Sequence, residues 1–297
     1  MAKSVDTVVQ DINCMLKEVI DGKSVEIQED TLAKFGTTVA LKVKEALTAR
    51  TKTRPPFTIY ASEIGKPCNR YIWYGVHRSE LGEKIFPSAK IKFLYGDLLE
   101  ELLLLLASLS AHEVTEEQAT REFSYKGWTI RGRIDARIDG VVVDVKSASG
   151  YGYNKFTEGL HDGNDAFGYR AQLRVYTDNP KSGFLVINKE NGQLCYSKVD
   201  DNKFDLTEKL DGLIEDLNNS VNPPPRHYTH VEDGKSGNMK LPVGCSYCAY
   251  KRECWKNSNK GAGLRVFNYA GKPVFLTEVV REPKVSEITH LMESNHD

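Results

Sequence analysis

Apolar and polar positions alternate along 128–147 of this chain, and two residues interrupt the alternation. WTIRGRIDARID and GVVVDVKSA each read as a β-strand, because successive side chains of a strand point to opposite faces. Asp139-Gly140 between them fits a two-residue hairpin turn, whose central positions both need φ > 0. In such a hairpin, residues whose numbers sum to 279 face each other, so 138 meets 141 and 135 meets 144. One face then carries Ile134, Ala136, Ile138, Val141, Val143 and Val145. The other carries Arg133, Asp135, Arg137, Val142, Asp144 and Lys146.

Other periodicities place the remaining elements. Residues 5–50 read as two amphipathic helices around a polar break near Gly22-Lys23-Ser24, and 51–57 as a linker. From Asp97 to about Ser110 runs a helix that is apolar nearly all round and hence expected to be buried. A strand is expected near 119–125. A glycine-rich loop (Gly150, Gly152, Gly159, Gly163) leads to a helix over 165–178. Strands follow at 184–189 and 193–199 around Glu190-Asn191-Gly192, then a helix at 204–219 that stops at a proline run. A cysteine-rich segment occupies 241–256, and the tail holds one more apolar run, PVFLTEVV. No repeat is visible. This order predicts an α+β fold, with helices flanking a small mixed sheet.

Composition changes the picture locally rather than globally. The 297 residues include 40 Lys plus Arg against 41 Asp plus Glu, so no overall charge announces a polyanionic partner. Between 121 and 155, however, seven Lys/Arg face four acids, and Arg170 and Arg174 follow. The longest apolar stretch, Leu102 to Ala107, is too short to span a bilayer, and no signal peptide is evident. The expected location is the cytoplasm, or that of a host if the chain is viral. Six cysteines in that setting point to metal rather than disulfides.

Two aspartates opposed on a sheet repel each other, so the 135/144 pair needs a reason. A divalent cation held by both is one, since hard oxygen ligands suit Mg²⁺ or Mn²⁺. Lys146, on the face of Asp144, would orient a water or stabilise developing charge, and the Val145 carbonyl would be a further ligand. Asp97, Glu100 and Glu101 share one side of the apolar helix and offer a third carboxylate. Glu100 is the choice, with Glu101 in reserve and Asp97 read as an acid favoured by the helix dipole. The plainer alternative is a surface hairpin with ordinary ion pairs.

Gly132-Arg-Ile-Asp135 followed by Asp144-Val-Lys146 resembles the GxxD…(D/E)xK core of the PD-(D/E)XK nuclease superfamily. Gln172-Leu-Arg-Val-Tyr176 resembles the QxxxY helix of its RecB-type branch. Tyr95-Gly96-Asp97-Leu-Leu-Glu100 resembles the family's first-motif helix, with glutamate where many members have histidine. The resemblance implies a restriction-endonuclease-like core. It also implies metal ligation by Glu100, Asp135 and Asp144, and DNA positioning by Gln172 and Tyr176. Tyr151, Tyr153 or Tyr169 would stack bases of a single strand, with the 150–163 loop gating the channel.

Cys245-x2-Cys248-x5-Cys254 provides three clustered thiols, and Cys68 is the candidate fourth. That distribution resembles the iron–sulfur RecB-type nucleases, among them CRISPR-associated adaptation nucleases, AddB recombination subunits and Dna-two nuclease domains. The resemblance implies a structural 4Fe–4S cluster on these four cysteines, with zinc as the alternative. Cys14 and Cys195 are expected to be buried thiols. The expected organisation is an N-terminal helical region (1–55), a nuclease domain (56–256) and a C-terminal extension (257–297). The expected activity is a DNA exonuclease working on single strands or ends. A structure-selective endonuclease and a non-catalytic DNA-binding or assembly subunit are the alternatives. No GxxxxGK[ST] motif is present, so unwinding would need a helicase or recombination partner. Self-assembly into rings occurs among relatives.

Overall fold

Asp139 (φ 51°) and Gly140 (φ 78°) both take positive φ, as a two-residue hairpin turn requires. In the computed structural model, Ala136, Arg137 and Ile138 pair with Val143, Val142 and Val141, the register read from the sequence. The description covers residues 3–48, 53–85, 87–161, 163–177, 182–199 and 204–293. The chain forms two compact units, 1–65 with 88–210 and 66–87 with 211–297.

Among the described residues of the first unit, eight strands make two sheets. β1 (Thr58–Tyr60), β4 (Trp128–Arg133) and β3 (Thr120–Tyr125) form one, in the order β1-β4-β3. The second runs β2-β5-β6-β7-β8, from Val114–Thr115, Ala136–Ile138, Val141–Ala148, Gly183–Asn188 and Leu194–Lys198. β6 and β7 are parallel and the other pairs of this sheet antiparallel, so it is mixed. The run 128–138 is therefore not one strand. Between β4 and β5 the chain is held by the preceding turn: Ile134 N–H donates to Ala119 O and Gln118 N–H to Asp135 O. The residues before that point pair with β1 and β3 instead of β6.

The long helix begins earlier than its apolar pattern suggests, spanning Pro87–Leu109. It is not buried all round: Ile91, Phe93, Tyr95 and Leu102 are exposed, while Leu103, Leu104 and Ala107 are buried. Those three pack with Ala136, Ile138, Val143, Val145 and Leu185 of the mixed sheet. Val5, Val8 and Ile12, at and near the start of the helix Val8–Ile20, complete the same core. Residues 150–157 are helical rather than a glycine loop. Ser149 caps that helix by accepting the Gly152 N–H, and Tyr153 and Phe156 are its buried residues.

In the second unit, β9 (Val231–Glu232), β10 (Met239–Lys240), β11 (Arg265–Tyr269) and β12 (Lys272–Glu278) form a four-stranded sheet, ordered β11-β12-β10-β9. Only the apolar run in β12 announced it. Leu241, Trp255, Leu264, Val266 and Phe275 make its core. Asn69 on the helix Asn69–His77 donates to Asp216 at 2.8 Å, joining the two chain segments of this unit. No helix among the described residues is long and apolar enough to cross a membrane.

Candidate active site

Strand alternation in β6 sends Val143 and Val145 into the core and leaves Asp144 and Lys146 on the opposite face. Asp135 follows the end of β4 and precedes β5, where its carboxylate accepts the Val145 N–H at 2.7 Å. That bond fixes Asp135 across from the Asp144–Lys146 segment although the strand ladder has stopped. Asp144 is 2% exposed and ion-pairs with Lys146. Burial, then the neighbouring Asp144 and Glu100, push the Asp135 carboxyl well above the usual carboxylate range. Burial also raises Glu100, while Lys42 beside it works in the other direction. Three acids that repel one another in a buried setting are what a bound cation would relieve. Their oxygen donors fit Mg²⁺ or Mn²⁺. Among the described residues, no three His, Cys, Asp or Glu side chains form a ready metal-binding group as they stand.

Lys146 is held as an ammonium. Burial works against its charge, but Asp144 and Asp135 outweigh that and raise its pKa. Its amine lies 5.0 Å from the Tyr169 ring centre. Behind Asp144, Gln172 Nε2 reaches Asp144 Oδ1 at 3.4 Å and Tyr176 OH at 2.8 Å. Both residues ride on the short helix Tyr169–Tyr176, whose entry needs glycine. Gly168 has φ 74°, and a Cβ there would stand 2.2 Å from Gly65 Cα. Gly132 has a similar reason: a Cβ would lie 2.4 Å from the Tyr176 ring and 2.7 Å from Ala61 Cβ. The first residue of the GxxD motif thus makes room for the last residue of QxxxY.

A cleft of about 650 Å³ opens beside Asp135, though Asp144, Lys146 and Gln172 do not line it. Asp97, Glu100, Asp135 and Tyr176 line it, as do Lys42, Lys90, Arg131, Arg133 and Phe93. Glu101 does not; it is 4% exposed and ion-pairs with Lys42 at 2.6 Å. Of the basic run at 121–155, only Arg131 and Arg133 reach the cleft. Arg121 and Arg137 are spent on Glu116. None of the three tyrosines proposed for stacking lines the cleft, although Tyr169 lies beside Lys146. Tyr153 is buried, Tyr169 stacks on Phe156, and exposed Tyr151 sits beside Lys155. Phe93, 58% exposed, lines the cleft together with Tyr60 and Tyr176. Lys42, Lys90 and Phe93 escaped the sequence reading because no local motif marks them.

In the second unit, Cys68 caps the helix Asn69–His77, Cys245 and Cys248 flank a tight turn, and Cys254 ends a short helix. Burial pushes the Cys248 thiol up to about 12, and the other three cysteines add to the rise. Cys245 is pushed up to about 11, again by burial first, with Cys68 and Cys254 contributing. The four sulfurs therefore share one electrostatic neighbourhood. Cys248 Sγ accepts the Tyr250 N–H at 3.4 Å. Cys14 is exposed rather than buried, and Cys195 is half-buried.

The opposed acids, the adjoining lysine and the helix behind them lie within a matched family region. The model of the PD-(D/E)XK nuclease superfamily matches residues 76–255, well over half of the chain. The chain belongs to that superfamily. Members are nucleases of DNA, typically dependent on Mg²⁺ or Mn²⁺, and the α+β architecture is the restriction-endonuclease-like one. No curated relative matches the chain. A solved structure described as "Crystal structure of SSO0001" is similar over 72% of this chain and 92% of its own, at 20% identity and a TM-score of 0.42.

Proposed function

We propose that this PD-(D/E)XK protein is a RecB-type, metal-dependent DNA exonuclease acting on single strands or DNA ends. The carrying observation is the Asp135–Asp144–Lys146 arrangement, whose Asp135 lines a cleft together with Glu100. Glu100, Asp135 and Asp144, with the Val145 carbonyl, would hold Mg²⁺ or Mn²⁺. When bound, such an ion supplies positive charge at the scissile phosphate and lowers the pKa of water. Lys146, kept cationic by Asp144, donates toward the attacking water and the phosphate oxygens. Gln172 holds the Asp144 carboxylate from behind, and Tyr176 forms part of the cleft wall. Lys90, Arg131 and Arg133, which line the cleft, would meet phosphates, with Phe93 as a stacking surface.

Cys68, Cys245, Cys248 and Cys254 are the proposed ligands of a structural 4Fe–4S cluster. Thiols pushed upward by burial become good ligands only when a cation compensates their charge. Joining Cys68 to the C-terminal thiols would close a loop of well over a hundred residues, at a large entropic gain for the folded state.

The test uses anaerobically purified protein with Mn²⁺ or Mg²⁺ on linear single-stranded DNA labelled at either end, beside circular single-stranded DNA. Progressive shortening from one labelled end, with circles left intact, is expected. Cutting of circles would replace the exonuclease with an endonuclease. No cleavage of either would leave a DNA-binding or assembly subunit, which would work with a helicase or recombination partner.

A further inference from the structure

The helix Glu29–Leu47 lies outside the segment that matches the family, yet its Lys42, Glu45 and Ala46 line the cleft. Lys42 Nζ stands 2.8 Å from Glu100 Oε1 and 2.6 Å from Glu101 Oε1. The three side chains are 14%, 16% and 5% exposed, so this contact is largely withdrawn from water. Gln118 Nε2 donates to the same Glu100 Oε1 at 2.6 Å. One oxygen of Glu100 thus takes two donors, while Oε2 has no hydrogen-bond partner among the described residues. Next to Gln118, Glu117 pairs with Lys34 of the same helix at 2.5 Å. The helix is therefore tied twice around the turn and acid that adjoin Asp135.

Two neighbouring acids in so buried a place cannot both stay ionised without compensation. Lys42 supplies it, its one ammonium lying within hydrogen-bond distance of an oxygen of each. An outer partner that fixes one oxygen of a carboxylate orients the other for a metal ion.

We propose that Lys42 is a positioning residue of the metal site, holding Glu100 Oε1 so that Oε2 is presented toward Asp135 and Asp144 while Glu101 is neutralised. This rests on the metal-dependent reading of the cleft. It gives the N-terminal helical region a task in the active site.

Mn²⁺ binding measured calorimetrically without DNA tests it, for the wild type, Lys42→Met, Lys42→Arg, Glu101→Gln and Asp144→Asn. Lys42→Met is expected to bind Mn²⁺ about ten- to a hundredfold more weakly, the usual cost of losing such a partner. Lys42→Arg, which keeps the charge and the reach, stays close to the wild type. So does Glu101→Gln, because Lys42 still holds Glu100. Equal or tighter binding by Lys42→Met would overturn the proposal. If that variant fails to fold, weak binding by Lys42→Arg, or a loss in Glu101→Gln, overturns it instead. Wild-type protein that binds no more Mn²⁺ than Asp144→Asn would sink the metal reading itself, and this proposal with it. Binding that needs Asp144 but not Lys42 would sink the proposal alone.

Discussion

A buried carboxylate survives only where something holds it, and each acid of this site has its own partners. Asp135 takes a backbone N–H, Asp144 a lysine and a glutamine, and Glu100 a lysine and a glutamine from other elements. Gly132 makes this possible by leaving room for Tyr176. Gly132→Ala is expected to lose about 1–3 kcal/mol of stability, the usual cost of overpacking, seen as a lower urea midpoint. Cleavage should fall with it, because the ring that must shift carries the Gln172 contact to Asp144. An unchanged midpoint would show that Tyr176 yields freely. The motif residues themselves were legible in the sequence, since each sits at a short, fixed spacing. Lys42 and Gln118 were not: they meet Glu100 only through folding, from 58 and 18 residues away.

Elements were legible where local chemistry decides them and illegible where pairing partners do. Asp139-Gly140 dictated its turn and the 279 register, because few residues accept two successive positive φ values. The alternation of 128–138 could not reveal that its first half pairs with β1 and β3. Glycines at 150 and 152 suggested a loop, but the Ser149 cap and the burial of Tyr153 and Phe156 make a helix. Two-residue strands such as β9 and β10 carry no readable period. At this scale the N-terminal helix offers a sharp test. His112, its side chain fully buried, meets Asp139 Oδ2 at 2.6 Å and Asp11 Oδ2 at 3.0 Å, joining that helix to the hairpin turn. His112→Ala should cost about 1.5–3 kcal/mol, the range for hydrogen bonds to charged groups. Amide exchange over residues 8–20 should quicken before that of β6. Unaltered exchange there would mean that Val8 and Ile12 anchor the helix unaided.

Across the whole molecule, the chain divides into a unit with the acids and the cleft and a unit with the four clustered thiols. The first was largely foreseen through its motifs. The four-stranded sheet of the second was not, because its strands are short and its cysteines dominate the pattern. If a cluster completes the second unit, anaerobic protein carries iron and broad visible absorbance, and Cys248→Ser loses both. Trypsin should then cut within 211–297 earlier than in the wild type. Zinc in place of iron would contradict the cluster while keeping the site. The central claim concerns the first unit: Asp135, Asp144 and Lys146 make a metal-dependent nuclease. Its most direct test compares Mn²⁺-supported cleavage of labelled single-stranded DNA by the wild type, Asp144→Asn and Lys146→Ala, all shown to be folded by circular dichroism. The account predicts cleavage by the wild type that stops with chelator, and a loss of at least a hundredfold in either variant, about the 2.7 kcal/mol or more expected when transition-state charge loses a partner. Equal cleavage by all three proteins would contradict it.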